Sequence, residues 1–233
     1  MPITLQLLCA GAAQGLVKAL APRLRAEAGA EIDGRFGAVG AMQDALLSGA
    51  PCDLMIVTDK MVNELMASGA LRVGSAAPLG RVYTGIAVRS GSPRPDVSTP
   101  EALKAALLAA QAIYFPDALK STAGIHFANL MRQLGVHDEL QPRFRTYPNG
   151  ATAMRELAAS DAPRSIGCTQ VTEINYTAGV ELVAPLPSRF ELATVYTAAL
   201  SARAAEPMLA ARFIAMLAGS DAQGLRAAGG FEN

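Results

Sequence analysis

The chain has 233 residues, with 20 basic and 20 acidic side chains and 51% hydrophobic residues. The balanced charge gives no electrostatic basis for binding nucleic acid, and no apolar run reaches the roughly 20 residues that insertion into a membrane requires. The cysteines Cys9, Cys52 and Cys168 and the histidines His126 and His137 lack metal-ligand spacing, so we expect neither a metal site nor a cofactor.

The first third of the chain alternates short apolar strands with amphipathic helices. Gly29 and Gly49 are predicted to end the first two helices. The predicted strands and helices are, in order, 3–11, 13–29, 31–40, 41–49, 52–59 and 60–71. This alternation favours a mostly parallel sheet with helices on its faces.

A β-branched strand, Val82 to Val88, leads into a second series of strands and helices. Thr99 is predicted to cap the next helix, with Pro100 at the first helical position. The further predicted elements lie at 99–110, 112–117, 122–135, 143–150, 151–160, 165–174, 191–203 and 206–219. Two such series joined by two crossing strands predict two lobes around a ligand that lies at the carboxyl ends of strands, where helices begin.

We therefore expect a particular division of the chain. Lobe 1 is predicted to comprise 1–81 and 199–233, and lobe 2 to comprise 82–198. The hinge is predicted near 81–86 and 194–199, where the two crossing strands pass from one lobe to the other.

Four segments carry a resemblance to a known family: "CAGAAQGLVKALAPRLRAEAGAEI", "FGAVGAMQDALLSGAPCDLMIVTD", "YFPDALKSTAGIHFANLMRQLG" and "AARFIAMLAGSDAQGLRAAGGF". In these segments the chain resembles the molybdate-binding (oxyanion) branch of the type II periplasmic-binding-protein fold. The resemblance implies an α/β protein of two lobes, each a mostly parallel sheet flanked by helices, with two crossing strands as the hinge.

In that family, neutral donors hold a tetrahedral oxyanion: serine hydroxyls in two loops of the first lobe, backbone N–H groups at helix starts, and a tyrosine of the second lobe. The serine positions fall here on residues without a hydroxyl group: Gly11, Ala12, Ala38, Val39 and Gly40. The second-lobe backbone donors fall near Ala123 and Gly150, and the tyrosine position falls on Gln170. The resemblance thus preserves a cradle of N–H groups and disfavours molybdate as the ligand.

Hydroxyl, amide and cationic side chains near these positions suit a small anion or a polycarboxylate better than a compact oxyanion. These further candidate ligand-binding residues are Arg81, Thr84, Asp117, Lys120, Ser121, Thr122, Asn149, Thr152, Thr169, Gln170 and Thr172. Several have a structural alternative. Arg81 and Lys120 are equally consistent with cations that are solvated on loops and bind no ligand. Thr122 and Asn149 are also consistent with helix N-caps, and Asp117 is also consistent with a carboxylate that fixes its loop.

Two functions stay open at this point. The first is a solute-binding protein that holds a small anion or carboxylate and serves an ABC importer if the chain is exported. The alternative is a cofactor-independent isomerase of an unsaturated tricarboxylic acid, because aconitate isomerase is similar to the same branch. Its catalytic residue is not identified by any motif; the candidates, in descending preference, are His126, Asp117 and Glu173. The structural alternative for His126 is a histidine packed within its helix. The alternative for Glu173 is a glutamate on a helix that faces solvent.

The beginning of the chain bears on location. Met1-Pro2 is followed directly by "ITLQLL", which lacks the basic region and cleavage site of a signal peptide. The chain as written is therefore expected in the cytoplasm, and in the periplasm if it is a mature form. A cytoplasmic location favours the isomerase, whereas the fold favours the binding protein.

Overall fold

The computed structural model describes residues 3–232 as an α/β protein that divides into two compact units. Unit 1 runs to Val82 and resumes at Thr194, and unit 2 comprises Tyr83–Ala193. Met1 and Pro2, on which the expectation about a signal peptide rests, lie outside the described residues. The hinge inferred from the sequence stays a prediction.

The elements are numbered in chain order. The strands are β1 (Ile3–Ala10), β2 (Ala30–Gly37), β3 (Leu54–Thr58), β4 (Ala77–Arg89), β5 (Ala112–Pro116), β6 (Phe144–Tyr147), β7 (Ser165–Gln170), β8 (Val180–Pro185) and β9 (Ala193–Leu200). The helices are α1 (Gln14–Ala28), α2 (Val39–Leu47), α3 (Asp59–Ala67), α4 (Pro100–Ala109), α5 (Thr122–Gln133), α6 (His137–Leu140), α7 (Gly150–Ala158), α8 (Val171–Asn175), α9 (Pro207–Ala218) and α10 (Gln223–Gly229).

In unit 1, β1 pairs in parallel with β2 and β3, and β9 pairs with β3 in the antiparallel direction. The central strands are apolar because both of their faces are covered, and Leu54 and Ile56 of β3 are fully buried. The predicted C-cap of α1 is confirmed. Gly29 adopts a left-handed backbone with φ 62°, and its N–H donates to the Arg25 carbonyl oxygen.

In unit 2, β5 pairs in parallel with β6 and β7, and β4 runs antiparallel to β7 and β8. Neighbouring residues of β5 enter different cores because side chains alternate along a strand. Phe115 packs in one cluster with Phe127, whereas Tyr114 joins Met154 in the other. The parallel pairing places the carboxyl ends of β5, β6 and β7 at one edge of this sheet.

The predicted start of α4 is confirmed: the Thr99 hydroxyl accepts a hydrogen bond from the Ala102 N–H at 3.1 Å, and Pro100 is the first helical residue. Three elements escaped prediction, β8, α6 and α10; α6, with four residues, is too short for an apolar periodicity to show. No helix within residues 3–232 is long and apolar enough to cross a membrane.

Candidate functional site

The first two helices of unit 1 begin without a side-chain cap. After β1 ends at Ala10, a single turn of 3-10 helix leads into α1, and the residue before α2 is Ala38 in an extended conformation. The third helix differs, because the Thr58 hydroxyl accepts from the Met61 N–H at 3.4 Å. Since β1, β2 and β3 are parallel, these helix starts lie at the same sheet edge. Unit 1 therefore presents small side chains and backbone N–H groups there.

The predicted serine-equivalent positions of unit 1 follow this pattern. Four of them are buried where the chain passes from strand to helix, and Gly40 is partly buried in the first turn of α2. The four buried ones are Gly11, Ala12, Ala38 and Val39. The N–H groups of Ala12, Ala38 and Val39, rather than hydroxyls, are what these loops can offer an anion.

In unit 2, helices α5, α7 and α8 begin at the edge where the parallel strands end. Asn149 caps α7, with its side-chain oxygen accepting from the Thr152 N–H at 2.8 Å, as the structural alternative predicts. The interpretation of Thr122 as an N-cap is wrong: Thr122 is the first residue of α5, and Ser121 occupies the cap position. The helix starts one residue before the predicted Ala123, which lies buried in its first turn.

The loop between β5 and α5 is fixed by Asp117. Its Oδ1 accepts from the backbone N–H groups of Leu119 at 2.7 Å and Lys120 at 2.9 Å. The Lys120 side chain is exposed to solvent on this loop. Gly124 lets α5 approach closely, because a Cβ atom there would clash with the carbonyl oxygens of Pro116 and Asp117. Asp117 thus serves the loop that precedes α5, whichever ligand binds.

Two other sequence candidates have structural partners. His126 is partly buried, and its Nε2 lies 2.7 Å from the Phe190 carbonyl oxygen, within unit 2. Arg81 lies on β4 in unit 1 with an exposed side chain, and its backbone pairs with Glu232. The His126 ring is thus engaged within unit 2, whereas the contact of Arg81 with Glu232 is made by its backbone and leaves its side chain at the surface.

Three buried polar side chains of unit 2 lack a hydrogen-bond partner among the described residues. Thr84 on β4 and Gln170 at the end of β7 are directly opposite each other in the antiparallel ladder, and they are 1% and 2% exposed. Thr172, two residues beyond Gln170, is 1% exposed. The atoms without a partner are the hydroxyl oxygens of Thr84 and Thr172 and the amide nitrogen and oxygen of Gln170. Buried polar atoms normally have partners, so this cluster has room in its hydrogen bonding for a further polar group, either an ordered water or a ligand.

Glu173 lies beside this cluster, in the first turn of α8, and is 5% exposed. The alternative that it faces solvent is wrong. Its carboxylate accepts from the Thr169 hydroxyl at 2.5 Å and from the Ala151 N–H at 3.3 Å. The backbone N–H groups of Gln170 and Gly150 are further donors.

This carboxyl is therefore held by donors from two helix starts. Burial raises the pKa of Glu173, and the four hydrogen bonds oppose that rise only in part. The sequence contained the signal for this position. Glu173 follows the end of a strand by three residues, which is the spacing of a capping box.

The acid and base candidates do not form a metal centre. Within residues 3–232, no three His, Cys, Asp or Glu side chains lie together as metal ligands. The three cysteines are buried as free thiols, as expected for small hydrophobic residues.

Two α/β units with helix starts at the carboxyl ends of parallel strands define a periplasmic-binding-protein type of fold. The chain belongs to the bacterial extracellular solute-binding protein family, whose model matches residues 5–232. The resemblance to molybdate-binding proteins is confirmed at the level of the fold.

The individual relatives share about a quarter or less of their aligned residues with this chain. The chain is 26% identical to aconitate isomerase of a Pseudomonas species over 230 residues, which cover 94% of this chain and 84% of the relative. The periplasmic molybdate-binding protein of Azotobacter vinelandii has a TM-score of 0.78 at 19% identity, covering 98% of this chain and 99% of that one. The sulfate-binding protein SubI of Mycobacterium tuberculosis has a TM-score of 0.76 at 17% identity, covering 98% and 86%.

Proposed function

We propose that this solute-binding protein binds a small carboxylate anion, with Gln170, Thr84 and Thr172 as neutral binding groups of unit 2. The observation that carries the proposal is the unpartnered amide of Gln170, buried at the carboxyl end of β7. Amide and hydroxyl groups hydrogen-bond well to carboxylates, and a bound carboxylate would satisfy donors that are otherwise costly to bury.

A carboxylate is favoured over molybdate or sulfate for a reason that lies in unit 1. A tetrahedral dianion needs many short donor contacts to replace its hydration, and the starts of α1 and α2 in unit 1 offer no side-chain hydroxyl. Within unit 1, the backbone N–H groups near Ala12 and Val39 suit a single carboxylate group better than a tetrahedral dianion. The exposed Arg81 of unit 1 and the exposed loop residue Lys120 of unit 2 are each a candidate to neutralise a carboxylate.

The second candidate is an isomerase that moves a proton between carbon atoms of an unsaturated tricarboxylic acid. Two observations favour it: the relationship to aconitate isomerase along 94% of the chain, and the buried carboxyl of Glu173 beside the unpartnered amide. Such a reaction needs one group that removes the proton and returns it elsewhere. A carboxyl whose pKa is raised by burial suits that role better than an exposed one.

The family description leads to a proposal about location and partner. We infer that the mature protein works outside the cytoplasmic membrane, where it would deliver its ligand to an ABC importer. If the isomerase assignment holds, no importer is required.

Thermal-shift measurements test the ligand class. The purified chain is heated with molybdate, tungstate, sulfate, citrate, cis-aconitate or trans-aconitate at millimolar concentration. A micromolar ligand at 1,000 times its Kd stabilises the folded state by about 4 kcal/mol, which is a shift of several degrees. A shift with carboxylates alone supports the proposal, and a shift with molybdate or tungstate alone overturns it.

A second measurement separates the binding protein from the isomerase. The chain is incubated with cis-aconitate in D2O and followed by proton NMR. Formation of trans-aconitate would establish the isomerase. A thermal shift without formation of trans-aconitate would leave the binding protein.

A further inference from the structure

Gln170 differs from the binding groups that suit an oxyanion, because its amide carries an acceptor as well as donors. Its Nε2 supplies two N–H donors and its Oε1 is an acceptor only. Both atoms are buried, and neither has a hydrogen-bond partner among residues 3–232. In either orientation of the amide, Nε2 lacks an acceptor and Oε1 lacks a donor.

Side chains close to Gln170 do not supply the missing donor. The Thr84 hydroxyl, on the residue directly across the ladder, and the Thr172 hydroxyl are themselves unpartnered. The Thr169 hydroxyl is committed to Glu173 at 2.5 Å, and the backbone N–H of Gln170 also serves that carboxylate. A donor for Oε1 therefore has to come from outside this cluster of side chains.

Fully ionised carboxylates and tetrahedral oxyanions cannot provide it, because all their oxygen atoms are acceptors. Two common groups on small acids can: a hydroxyl and an ammonium. A buried ammonium group needs an anionic partner, and the carboxylate in this corner, Glu173, already accepts from Thr169, Ala151, Gly150 and Gln170. A neutral hydroxyl needs only the amide oxygen.

We propose that the ligand is a hydroxycarboxylate, whose hydroxyl donates to Gln170 Oε1 while a carboxylate accepts from Gln170 Nε2. The neighbouring Thr84 and Thr172 hydroxyls complete the contacts, because each can donate to the carboxylate or accept from the ligand hydroxyl. This inference rests on the proposed function and narrows its ligand class. It makes Gln170 the residue that distinguishes a hydroxy acid from the same acid without the hydroxyl.

Matched probes test the hydroxyl requirement by titration calorimetry on the full chain. Malate, succinate and aspartate share one carbon skeleton and differ in having a hydroxyl, a hydrogen or an ammonium group. Citrate and tricarballylate form a longer pair with and without the hydroxyl. We expect malate or citrate to bind at least ten-fold more tightly than its matched probes. A site that recognises only the carboxylate groups would bind malate and succinate with equal affinity, and likewise citrate and tricarballylate.

The variant Gln170→Met keeps the length of the side chain and removes the amide. We expect it to weaken the hydroxy acid at least ten-fold and to bring its affinity close to that of the deoxy acid. Gln133→Met, on the exposed end of α5, is the matched control and should leave the ratio unchanged. If Gln170→Met does not fold, Thr84→Val tests the same cluster.

The outcomes separate this inference from the proposed function. Equal affinity for the hydroxy and deoxy acids would reject the hydroxyl requirement and leave the carboxylate-binding function intact. Tighter binding of aspartate would also reject it, in favour of an ammonium contact. Binding of molybdate or sulfate with none of the carboxylates, cis- and trans-aconitate included, would reject both proposals. If all five probes fail to bind while an aconitate binds, the hydroxyl requirement alone is rejected.

Discussion

The hydroxyl oxygen of Thr169 lies 2.5 Å from a carboxylate oxygen of Glu173, at the point where β7 passes into α8. The other carboxylate oxygen accepts from the Ala151 N–H, in the first turn of α7. One buried carboxyl therefore joins the starts of two helices. Negative charge near a helix N-terminus is favourable, which offsets part of the cost of burying it.

Replacing Glu173 by Gln should change how stability depends on pH. Burial raises the pKa of Glu173 in the folded protein, so the folded state holds its proton more tightly than the unfolded state. The stability that comes from this proton is fully present below the pKa of the unfolded chain, and it is lost as the pH rises through the raised pKa. Glutamine stays neutral, so the Tm of Glu173→Gln should gain on that of the wild type as the pH rises from the unfolded-state pKa of a glutamate, about 4.3, through the raised pKa.

The control for this experiment is Glu181→Gln, which changes an exposed glutamate of β8. Its Tm should follow that of the wild type at every pH. If the Tm of Glu173→Gln and that of the wild type also change in parallel with pH, Glu173 has the same pKa in the folded and unfolded chains. The pKa of Glu173 would then not be raised by burial.

Alanine at position 150 should destabilise the protein. A Cβ atom on Gly150 would overlap the Thr169 hydroxyl and the Glu173 carboxylate, and neither can retreat without breaking the hydrogen bonds that hold it. Overpacking of this kind typically costs about 1–3 kcal/mol, and we expect the upper part of that range in urea unfolding.

A matched glycine in another helix gives the opposite expectation. Gly224 in α10 has nothing within 4 Å of an added Cβ atom. Gly224→Ala should therefore stabilise the protein by about 0.4–1 kcal/mol, because it restricts the unfolded chain without a clash. Equal effects at positions 150 and 224 would mean that the close approach of Glu173 to α7 does not occur in solution.

The sequence predicted the fold well because its signals were local. Glycine at the end of α1, the Thr99-Pro100 start of α4 and the alternation of strands with helices all act over a few residues. The role of Asn149 as a cap was likewise readable, since its partner is three residues away.

The surroundings of the candidate site could be predicted only in part. The burial of Glu173 depends on Ala151 at the start of α7, 22 residues away in sequence, and the prediction that Glu173 faces solvent is wrong. The pairing of Thr84 with Gln170 joins residues from β4 and β7, and no local pattern specifies it. Contacts of this kind follow from the order of strands in the sheet.

Removing the Gln170 amide should stabilise the ligand-free protein. A buried polar group without a partner costs about 1–3 kcal/mol, and methionine fills a similar volume without that cost. We therefore expect Gln170→Met to unfold at a higher Tm than the wild type in the absence of ligand. Gln133→Met, whose side chain is exposed, should leave the Tm nearly unchanged. A lower Tm for Gln170→Met would show that the amide has a partner in the free protein.

The three thiols should be inert while the chain is folded. Only the thiolate reacts with iodoacetamide, and burial raises the pKa of Cys52 to about 12, while burial also raises the pKa of Cys9 and Cys168 well above that of a free thiol. At pH 8 we expect no labelling of the native protein over the time in which the urea-unfolded chain, as the control, is labelled three times. Mass spectrometry counts the adducts. A cysteine labelled as fast in native protein as in urea would lie in a part of the chain that opens readily, and its position would identify the least stable element of its unit.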